Sequence, residues 1–493
     1  MEKRALFIIL LVKALLMVAL IQYGRIPLGP DEAQYWTWSR QLDWGYYSKP
    51  PGIAWEIWAG TMLFGSTELG VRFGAVVLAF FLGLATYRLA KQSGLQKSTA
   101  MWAAIILAFS PMGVLASFLA TTDCGYVLFW TLGCSLLARA IHLGKAPNYL
   151  LLGLIVAVGA LFKWPIYYLW AVSFVCLLFY PRFRNPQILL GMALSLAGLL
   201  PSVLWNYEHD WSTFRHVWGT IAASKGTDYH APSGNPLEFF GAQAALASPI
   251  LFVMMGLASF SVVKNWKQAP SAIKFLAGVT VSIYALFQIL AFFQKIQGNW
   301  AILAYPTGFV LVSWYACEFT AKGKFWMRIG NKLSIALVAL ILLIPLPYKV
   351  NPFRHNIGWR ELPNALTKEG YQPEKDFLFS DNYQMTSILS FYSPGQKQAY
   401  FLNIGGRRKN QYSYWPSMAG SEAGKTGYTV IAGPRLTESQ IDKHIKGLSP
   451  YFSKVTSSSV YTLFKIDQEA EKVAMILKGI HYNGEQPADL EIY

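Results

Sequence analysis

The stretch that decides the fold is residues 5–36, "ALFIILLVKALLMVALIQYGRIPLGPDEAQYW". Its first part, residues 5–23, is an apolar run, and a helix needs about 20 such residues to cross a bilayer. No small-residue cleavage site follows this run, so we interpret it as a retained membrane helix rather than a signal peptide. A glycine–proline pair then separates it from two adjacent carboxylates, Asp31 and Glu32, at the expected boundary between lipid and water.

The composition of the whole chain indicates a polytopic membrane protein. Of its 493 residues, 54% are hydrophobic and only 14% are charged, whereas soluble domains carry roughly 25% charged residues. Ten further apolar runs follow the first one, at residues 69–89, 101–119, 125–142, 150–162, 165–180, 187–205, 240–263, 275–293, 301–319 and 333–347. We therefore predict a polytopic α-helical membrane protein with about eleven transmembrane helices.

The basic residues are distributed unevenly over the connections between these runs. Every second connection is basic, and the residues concerned are Arg88, Lys91, Lys97, Arg139, Lys145, Arg182, Arg184, Lys264, Lys267, Lys274, Lys322, Lys324, Arg328 and Lys332. Since cytoplasmic loops carry an excess of Lys and Arg, this side and the N-terminus are predicted to be cytoplasmic. The net charge of +16 is then largely a consequence of topology, and nucleic-acid binding is not expected.

The chain changes character after the last apolar run. Residues 348–493 have a mixed composition, with strand-like runs "YTVIAG" and "VYTLFKI" and a helix-like segment "GWRELPNALTKEG". We predict a small α/β domain outside the cytoplasm in residues 348–493. Residues 1–347 would form the transmembrane catalytic domain, whose first outer loop spans residues 24–68.

Acidic residues gather on the predicted outer side: Asp31 and Glu32 after the first run, and Asp123 in "ATTDCG". Asp is favoured at helix N-caps, where its carboxylate accepts free backbone N–H groups, so capping is one interpretation of Asp31 and Asp123. The other is catalytic, because a carboxylate at an interface can act as a general base towards an acceptor hydroxyl. The residues alone leave both interpretations open.

Three basic residues share that outer side. Prolines after Lys49 in "YYSKPPG" restrain the chain and hold this lysine at the membrane boundary. Lys163 in "LFKWP" has a similar position, and Arg72 lies at the outer end of the second run. These side chains can simply extend their charge into water, and Arg72 can pair with one of the acids. Alternatively they bind a donor phosphate, a role that lysine fills as a point charge.

The loop "WNYEHDWSTFRHVWGT" offers ligands for a metal ion. It contains Glu208, His209 and Asp210, with His216 further on. Oxygen and nitrogen ligands of this kind can hold a divalent ion such as Mg, Mn or Zn beside a phosphate, and we name His209 and Glu208 as the candidate ligands. A solvated loop is the alternative, because adjacent residues seldom all face one ion.

Aromatic residues crowd the first outer loop. The loop contains Tyr35, Trp36, Trp38, Trp44, Tyr46 and Tyr47. Tyrosine and tryptophan are enriched at membrane interfaces, so an interfacial belt is the simplest interpretation. Stacking of Tyr35, Tyr46 and Tyr47 on a sugar ring is the functional alternative.

The order of the motifs resembles that of a known family. The motifs are "PDEAQYW", "YYSKPPG", "VRFGA", "SPMGVLASFLATTDCGYVLFW" and "WNYEHDW". Together they resemble bacterial polyprenyl-phosphate-dependent membrane glycosyltransferases with the GT-C fold. The chain looks most like lipopolysaccharide galacturonosyltransferases and the aminoarabinose–lipid A transferase, in glycosyltransferase family 83, with protein O-mannosyltransferases more distant. The tail segments "FLFSDNYQMTSILSFYSPGQ" and "GGRRKNQYSYW" resemble the galacturonosyltransferase-like branch.

The resemblance implies an inverting glycosyltransferase at the outer face of the bacterial inner membrane, with a periplasmic tail domain. It would move a sugar from a polyprenyl-phosphate-linked donor to an envelope glycolipid, either lipid A or the lipopolysaccharide core. Asp31 would be the general base and Glu32 would support it. Asp123 would complete the acidic cluster, and Lys49 would hold the donor phosphate.

Two details of the pattern qualify what the resemblance implies. Ser48 stands where the aminoarabinose branch has a metal-holding glutamate before Lys-Pro-Pro, which argues against a metal at that position. Arg407 and Arg408 in the tail would steer and contact an anionic glycolipid acceptor.

Two other functions compete with this interpretation. A protein acceptor would make the chain a protein O-glycosyltransferase that uses the same type of donor. A lipid or sugar transporter or flippase is the alternative from another class, and it would favour broken helices in paired halves with ionisable residues at the midplane. Here the charges gather on one face and no repeat relates the two halves.

Overall fold

The protein is described by a computed structural model that covers residues 2–221 and 234–488. Residue 1, residues 222–233 and the last five residues of the predicted tail domain lie outside the described residues. The helices that precede the tail are α1 (Glu2–Tyr23), α2 (Pro30–Ser39), α3 (Gly52–Phe64), α4 (Glu68–Gln92), α5 (Lys97–Phe109), α6 (Pro111–Phe118), α7 (Asp123–Leu143), α8 (Tyr149–Ala160), α9 (Tyr168–Phe179), α10 (Gln187–Ser195), α11 (Leu200–Glu208), α12 (Ser212–Ile221), α13 (Pro236–Ala247), α14 (Pro249–Lys264), α15 (Ser271–Leu290), α16 (Ala304–Trp314) and α17 (Gly323–Leu343).

Helices overlap every predicted apolar run. Several of these runs form short helices or pairs of helices that bend at a break. Among the described residues, α1, α4, α7, α15 and α17 are long and apolar enough to cross a membrane. Three predicted spans are bent pairs, α5 with α6 by 62°, α10 with α11 by 45°, and α13 with α14 by 101°. Counting each bent pair as one span raises the number from five to eight. The multi-pass α-helical architecture of the prediction is confirmed.

The bends have a physical cause that the apolar pattern does not reveal. Pro111, Pro201 and Pro249 each lie in the first turn of the second helix of a pair. Proline lacks the N–H that would continue the preceding helix, and its ring crowds the residue before it. The last span also differs from its prediction, because α17 begins ten residues earlier and takes the basic segment 323–332 into the helix.

The tail contains a mixed six-stranded sheet with helices beside it. Its helices are α18 (Leu362–Lys368), α19 (Tyr383–Tyr392) and α20 (Glu438–Leu448), and its strands are β1 (Phe377–Ser380), β2 (Tyr400–Phe401), β3 (Gly427–Gly433), β4 (Phe452–Ser457), β5 (Tyr461–Ile466) and β6 (Glu469–Tyr482). The strand order is β2-β1-β3-β6-β4, with β5 also paired to β6. β1 runs parallel to β2 and β3, whereas the pairs that involve β6 are antiparallel.

The tail packs directly on the first outer loop. Trp36 and Trp38 of α2 are buried in one core with residues of α19, and the ring of Trp36 meets that of Phe391 at 4.9 Å. The hydroxyl of Tyr392 accepts a 2.6 Å hydrogen bond from the Leu28 backbone N–H. The predicted interfacial belt is therefore wrong for these two tryptophans, because both are buried in a core that includes tail residues.

Candidate active site

A tight turn sets the position of α2. Gly24 has φ +62°, a left-handed conformation that favours glycine, and its carbonyl oxygen accepts a hydrogen bond from the Arg360 guanidinium. Gly29 is the N-cap of α2 and Pro30 is its first residue. Asp31 and Glu32 therefore lie in the first turn, where the positive end of the helix dipole favours carboxylates. Asp31 is not the cap, so the capping interpretation does not account for it.

Glu32 forms a closed ion pair with Arg72 of α4. The Arg72 Nε and Nη2 atoms each lie 2.7 Å from a Glu32 carboxylate oxygen, and both side chains are buried. Arg72 also donates to the carbonyl oxygens of Ile26 at 2.7 Å and Pro27 at 2.9 Å. Four of its five N–H donors thus have protein partners. This fully buried guanidinium does not offer the predicted contact to a donor phosphate.

The carboxylate of Glu32 joins separate parts of the chain. It accepts hydrogen bonds from the backbone N–H of Gly29 at 2.9 Å and of Ala120 at 3.0 Å. The side-chain amide of Asn356, from the segment before the tail sheet, lies 3.4 Å away. Glu32 therefore connects α2, α4, the loop before α7 and the tail, as a positioning residue of the site.

Asp31 has the opposite surroundings. Its side chain is accessible to solvent, and within the described residues it makes no hydrogen bond or ion pair. Protein nevertheless surrounds it closely enough that burial raises the pKa of its carboxyl, an effect that Lys49 partly offsets. Glu32 raises this pKa further, whereas His355 and Arg408 lower it. Asp31 is thus an accessible carboxylate with enhanced basicity.

Lys49 faces this carboxylate from the loop before α3. The backbones of Tyr46 and Lys49 pair with each other, which fixes the turn that carries the lysine. Its ammonium has no hydrogen-bond partner among the described residues. Burial lowers the pKa of Lys49, and the neighbouring Lys163 lowers it further, while Asp123 and Asp31 raise it. The structure thus brings together residues that are far apart in the sequence.

Asp123 forms an ion pair with Lys163. Asp123 is the first residue of α7, with Thr122 at the N-cap, so it does not cap this helix. The Lys163 Nζ atom lies 2.8 Å from one carboxylate oxygen of Asp123, and the Asn299 amide donates to the other at 2.7 Å. Lys163 remains partly exposed. Asp123 is a fixed negative charge beside Lys49, and its partner lysine can still reach a ligand.

The two predicted tail arginines have different surroundings. The Arg408 Nη1 atom lies 2.8 Å from Nδ1 of His216. Burial and the charge of Arg408 lower the pKa of His216 to about 4, so this imidazole is neutral near pH 7 and can accept the bond. The charge of Arg408 also acts to lower the pKa of Asp31 and of Lys49. Arg407 instead lies 3.6 Å from Asp381 within the tail.

The predicted metal ligands do not converge. Glu208 is exposed at the end of α11, whereas the ring of His209 stacks on Trp205 at 4.0 Å, with its Nδ1 atom 2.7 Å from the carbonyl oxygen of Trp205. Among the described residues, no group of three or more His, Cys, Asp and Glu could hold an ion. Glu208 and His209 are therefore not arranged as ligands of one ion. A divalent metal as cofactor stays a prediction.

The predicted sugar-contacting tyrosines are all largely buried. The Tyr46 ring stacks on Trp38 at 4.6 Å, and its hydroxyl donates to the Trp38 carbonyl oxygen at 3.1 Å. Tyr47 lies at the edge of the site, with its ring 5.0 Å from that of His216. The pKa of Tyr35 is raised, chiefly by burial and secondly by the charge of Asp31. Tyr46 is thus committed to packing, and Tyr35 and Tyr47 are the two that border the charged cluster.

Several residues of the site are not predicted by the sequence motifs. The Asn299 amide donates a hydrogen bond to the Asp123 carboxylate. The charge of Asp31 acts to raise the pKa of both Tyr383 and His355. Asn299 lies in the short polar connection between two apolar runs, which was the available signal. The other two come from the tail, and only the packing of the tail on α2 brings them near Asp31.

Comparisons with known proteins bear on the fold and the class of enzyme. A family model described as dolichyl-phosphate-mannose-protein mannosyltransferase matches residues 48–205. This span contains Lys49, Arg72, Asp123 and Lys163. The chain is 28% identical over 407 residues to the lipid A galacturonosyltransferase RgtD of Rhizobium johnstonii, covering 80% of this chain and 83% of that protein.

Solved structures share the fold at low sequence identity. ArnT from Cupriavidus metallidurans superposes with a TM-score of 0.58 in the apo state, with 14% identity, 97% of this chain and 98% of that chain covered. The same protein bound to undecaprenyl phosphate gives 0.59 at 14% identity, with coverage of 96% and 97%. The archaeal oligosaccharyltransferase AglB from Archaeoglobus fulgidus gives 0.50 at 9% identity, with 87% of this chain and 69% of that chain covered. The chain is a membrane glycosyltransferase with the GT-C fold.

Proposed function

We propose that this protein transfers a sugar from a polyprenyl-phosphate donor to an envelope glycolipid, lipid A or the lipopolysaccharide core, with inversion at the anomeric carbon. The name of the galacturonosyltransferase relative supports a lipid A acceptor. The undecaprenyl phosphate bound to ArnT supports a polyprenyl-phosphate donor. Neither comparison favours a protein acceptor or transport as the function of this chain.

The contrast between Asp31 and Glu32 carries the catalytic part of the proposal. Glu32 is saturated by Arg72 and backbone N–H groups, so it cannot accept a proton without breaking a buried ion pair. Asp31 is accessible, has no hydrogen-bond partner among the described residues and has a raised pKa. A carboxylate of this kind suits general-base catalysis.

In the proposed reaction the Asp31 carboxylate removes the proton of an acceptor hydroxyl. The hydroxyl oxygen attacks the anomeric carbon as the bond from that carbon to the phosphate oxygen breaks. The bonding electrons leave with the polyprenyl phosphate, whose growing negative charge Lys49 and then Lys163 stabilise. Asp123 keeps Lys163 near this position through their 2.8 Å ion pair.

A uronic acid is the proposed donor sugar. The relative of Rhizobium johnstonii is named for galacturonosyl transfer, and a uronic acid carries a carboxylate. Arg408 is an additional cation beside Asp31 and Lys49, hydrogen-bonded to a neutral His216. Its guanidinium can bind the sugar carboxylate while Lys49 binds the phosphate, since arginine suits planar carboxylates.

The finer topology belongs to the same proposal. We assign eleven membrane spans, with the N-terminus cytoplasmic in the bacterial inner membrane, residues 1–347 as the catalytic domain and residues 348–493 as a periplasmic domain. The alternation of basic connections and the packing of the tail on the outer-face helix α2 support this arrangement. Alkaline phosphatase fused after the tail should be active, and an inactive fusion would contradict the orientation.

Mass spectrometry of extracted envelope glycolipids tests the proposed function. Cells with the wild-type gene, a deletion and Asp31→Asn are compared. The proposal expects both mutants to lose the mass of one hexuronic acid residue from lipid A or the core. Loss of a different sugar would contradict the donor assignment, and unchanged glycolipids in the deletion would contradict the acceptor class.

A further inference from the structure

A charged cavity lies at the opposite end of the helices from Asp31. Its volume is about 370 Å³, and it is lined by the end of α4, the last turns of α7 and the beginning of α8. Arg88, Arg139 and Lys145 border it from α4, α7 and the connection to α8. Small-molecule sites usually measure about 300–1,000 Å³, so the cavity is large enough for a lipid headgroup.

The positive charge of this cavity is uncompensated. No Asp or Glu is among its lining residues. All three cations are exposed, and in the described part of the chain none of them forms an ion pair or a side-chain hydrogen bond. Three segments thus direct cations towards the same space without a protein anion to receive them.

A buried hydroxyl at the wall of the same cavity lacks a partner within the described ranges. Ser135 of α7 lines the cavity and is 2% exposed, and its Oγ atom has no hydrogen-bond partner among the described residues. Buried polar groups nearly always have partners, so an orphan of this kind indicates that something else supplies one. Arg139 follows Ser135 by one helical turn, so both lie on the same face of α7.

Apart from the amides of Gln92 and Asn148, the remaining wall of the cavity is apolar. Leu136 and Leu143 of α7 and Leu151 and Ile155 of α8 line it, and Leu143 and Leu151 are largely exposed. Cations with apolar surface beside them match an amphiphile, whose charged group and hydrocarbon chains need both. Free inorganic phosphate would use only the cations.

Two simpler roles explain the cations one at a time. Basic residues favour the cytoplasmic side, and cations near helix C-termini complement the helix dipole. Neither role requires the cations to converge on one cavity or leaves the Ser135 hydroxyl without a partner. The convergence is what indicates a ligand.

We propose that this cavity binds the headgroup of an anionic membrane phospholipid. Its phosphate would lie between Arg88, Arg139 and Lys145, and its acyl chains would follow Leu143 and Leu151. Basic pockets between membrane helices are known to receive such headgroups. The site is separate from the proposed glycosyl-transfer site and does not depend on the function assigned there.

Native mass spectrometry of the full-length protein in detergent tests this proposal, with phosphatidylglycerol as the titrated probe. The test variant combines Arg88→Gln, Arg139→Gln and Lys145→Gln. Its matched control combines Lys264→Gln, Lys267→Gln and Lys332→Gln, which remove the same charge from exposed positions on the same basic side, away from the cavity. Phosphatidylcholine and inorganic phosphate are titrated in parallel.

The proposal expects the test variant to bind phosphatidylglycerol about a hundredfold more weakly, whereas the control binds like the wild type. Equal losses in both variants would overturn it, because they would indicate a general effect of charge. Binding of inorganic phosphate at the same concentration as the lipid would overturn the assignment to a lipid. If the triple variant does not fold, Arg139→Gln alone should weaken binding about fivefold, and unchanged binding would overturn the proposal.

Discussion

Two neighbouring residues of α2 show how one helix turn can hold two carboxylates with different tasks. Glu32 is closed: its oxygens are occupied by Arg72 and by two backbone N–H groups, away from water. Asp31 is open and faces Lys49 without a direct ion pair. The closed pair of Glu32 and Arg72 joins four parts of the chain, whereas Asp31 and Lys49 remain available to bind substrate. Residue type therefore does not decide function here, but the number of protein partners does.

The largest effect is expected from removing the open carboxylate. Asp31→Asn keeps the size of the side chain but cannot accept the hydroxyl proton. We expect turnover to fall by about 10²–10⁴-fold, the usual contribution of a general base, with the thermal unfolding temperature unchanged. Steady-state kinetics on purified protein measure this. Turnover within a fewfold of wild type would remove Asp31 from the mechanism.

The next effect is expected from breaking the closed pair. Arg72→Gln leaves the buried Glu32 carboxylate without its charged partner, and uncompensated buried charges cost about 3–5 kcal/mol. We expect a clear loss of stability in detergent, measured by unfolding of the purified protein. As a control, Lys397→Gln removes an exposed ion pair with Glu374 and should change stability little. A stable Arg72→Gln protein that has lost only donor affinity would restore the phosphate-binding role of Arg72.

A smaller effect is expected at Lys49. Lys49→Gln removes a charge-assisted bond to the donor phosphate, and hydrogen bonds to charged groups contribute about 1.5–3 kcal/mol. We expect kcat/KM to fall about 10–100-fold with stability unchanged. Lys49→Arg should retain more activity than Lys49→Gln because the charge is kept. Identical losses in both variants would indicate that shape rather than charge matters there.

The smallest effect concerns the pH profile. Asp31 must be deprotonated to act as a base, and its raised pKa moves the acidic limb of the rate profile to higher pH than for an ordinary aspartate. Lys49 must be protonated, and its lowered pKa moves the alkaline limb to lower pH than for an ordinary lysine. We expect a narrowed bell-shaped profile. Lys49→Arg should shift the alkaline limb upward, and an unchanged limb would assign it to another group.

The sequence predicted the membrane class and most of the charged cluster because both rest on local signals. Apolar runs and basic connections indicate spans, and motifs beside a span predict which residues face the same side. Asp31, Lys49, Asp123 and Lys163 come together at one end of the helices in this way. The apolar pattern could not reveal the bends at Pro111, Pro201 and Pro249, since apolar composition continues across each break.

What the sequence could not predict depends on long-range packing. Trp36 and Trp38 have the composition of an interfacial belt, but both are buried in a core that includes residues of α19. The sequence offers pairing of Arg72 with one of the acids as an interpretation, and the structure shows this pair with Glu32. The choice of Glu32 and the saturation of Arg72 by backbone carbonyls are long-range results, because residues 40 positions apart must meet. Arg72 and Lys49 are both basic residues beside predicted membrane spans, and their different neighbours separate their roles.

The most direct measurement compares Asp31→Asn with Glu32→Gln in one experiment that records both thermal unfolding and turnover per folded molecule. We expect Asp31→Asn to be as stable as the wild type and nearly inactive. Glu32→Gln should be clearly destabilised, while its folded fraction retains most of its turnover. A Glu32→Gln protein of normal stability with no turnover, beside an active Asp31→Asn protein, would contradict the account and assign the base to Glu32.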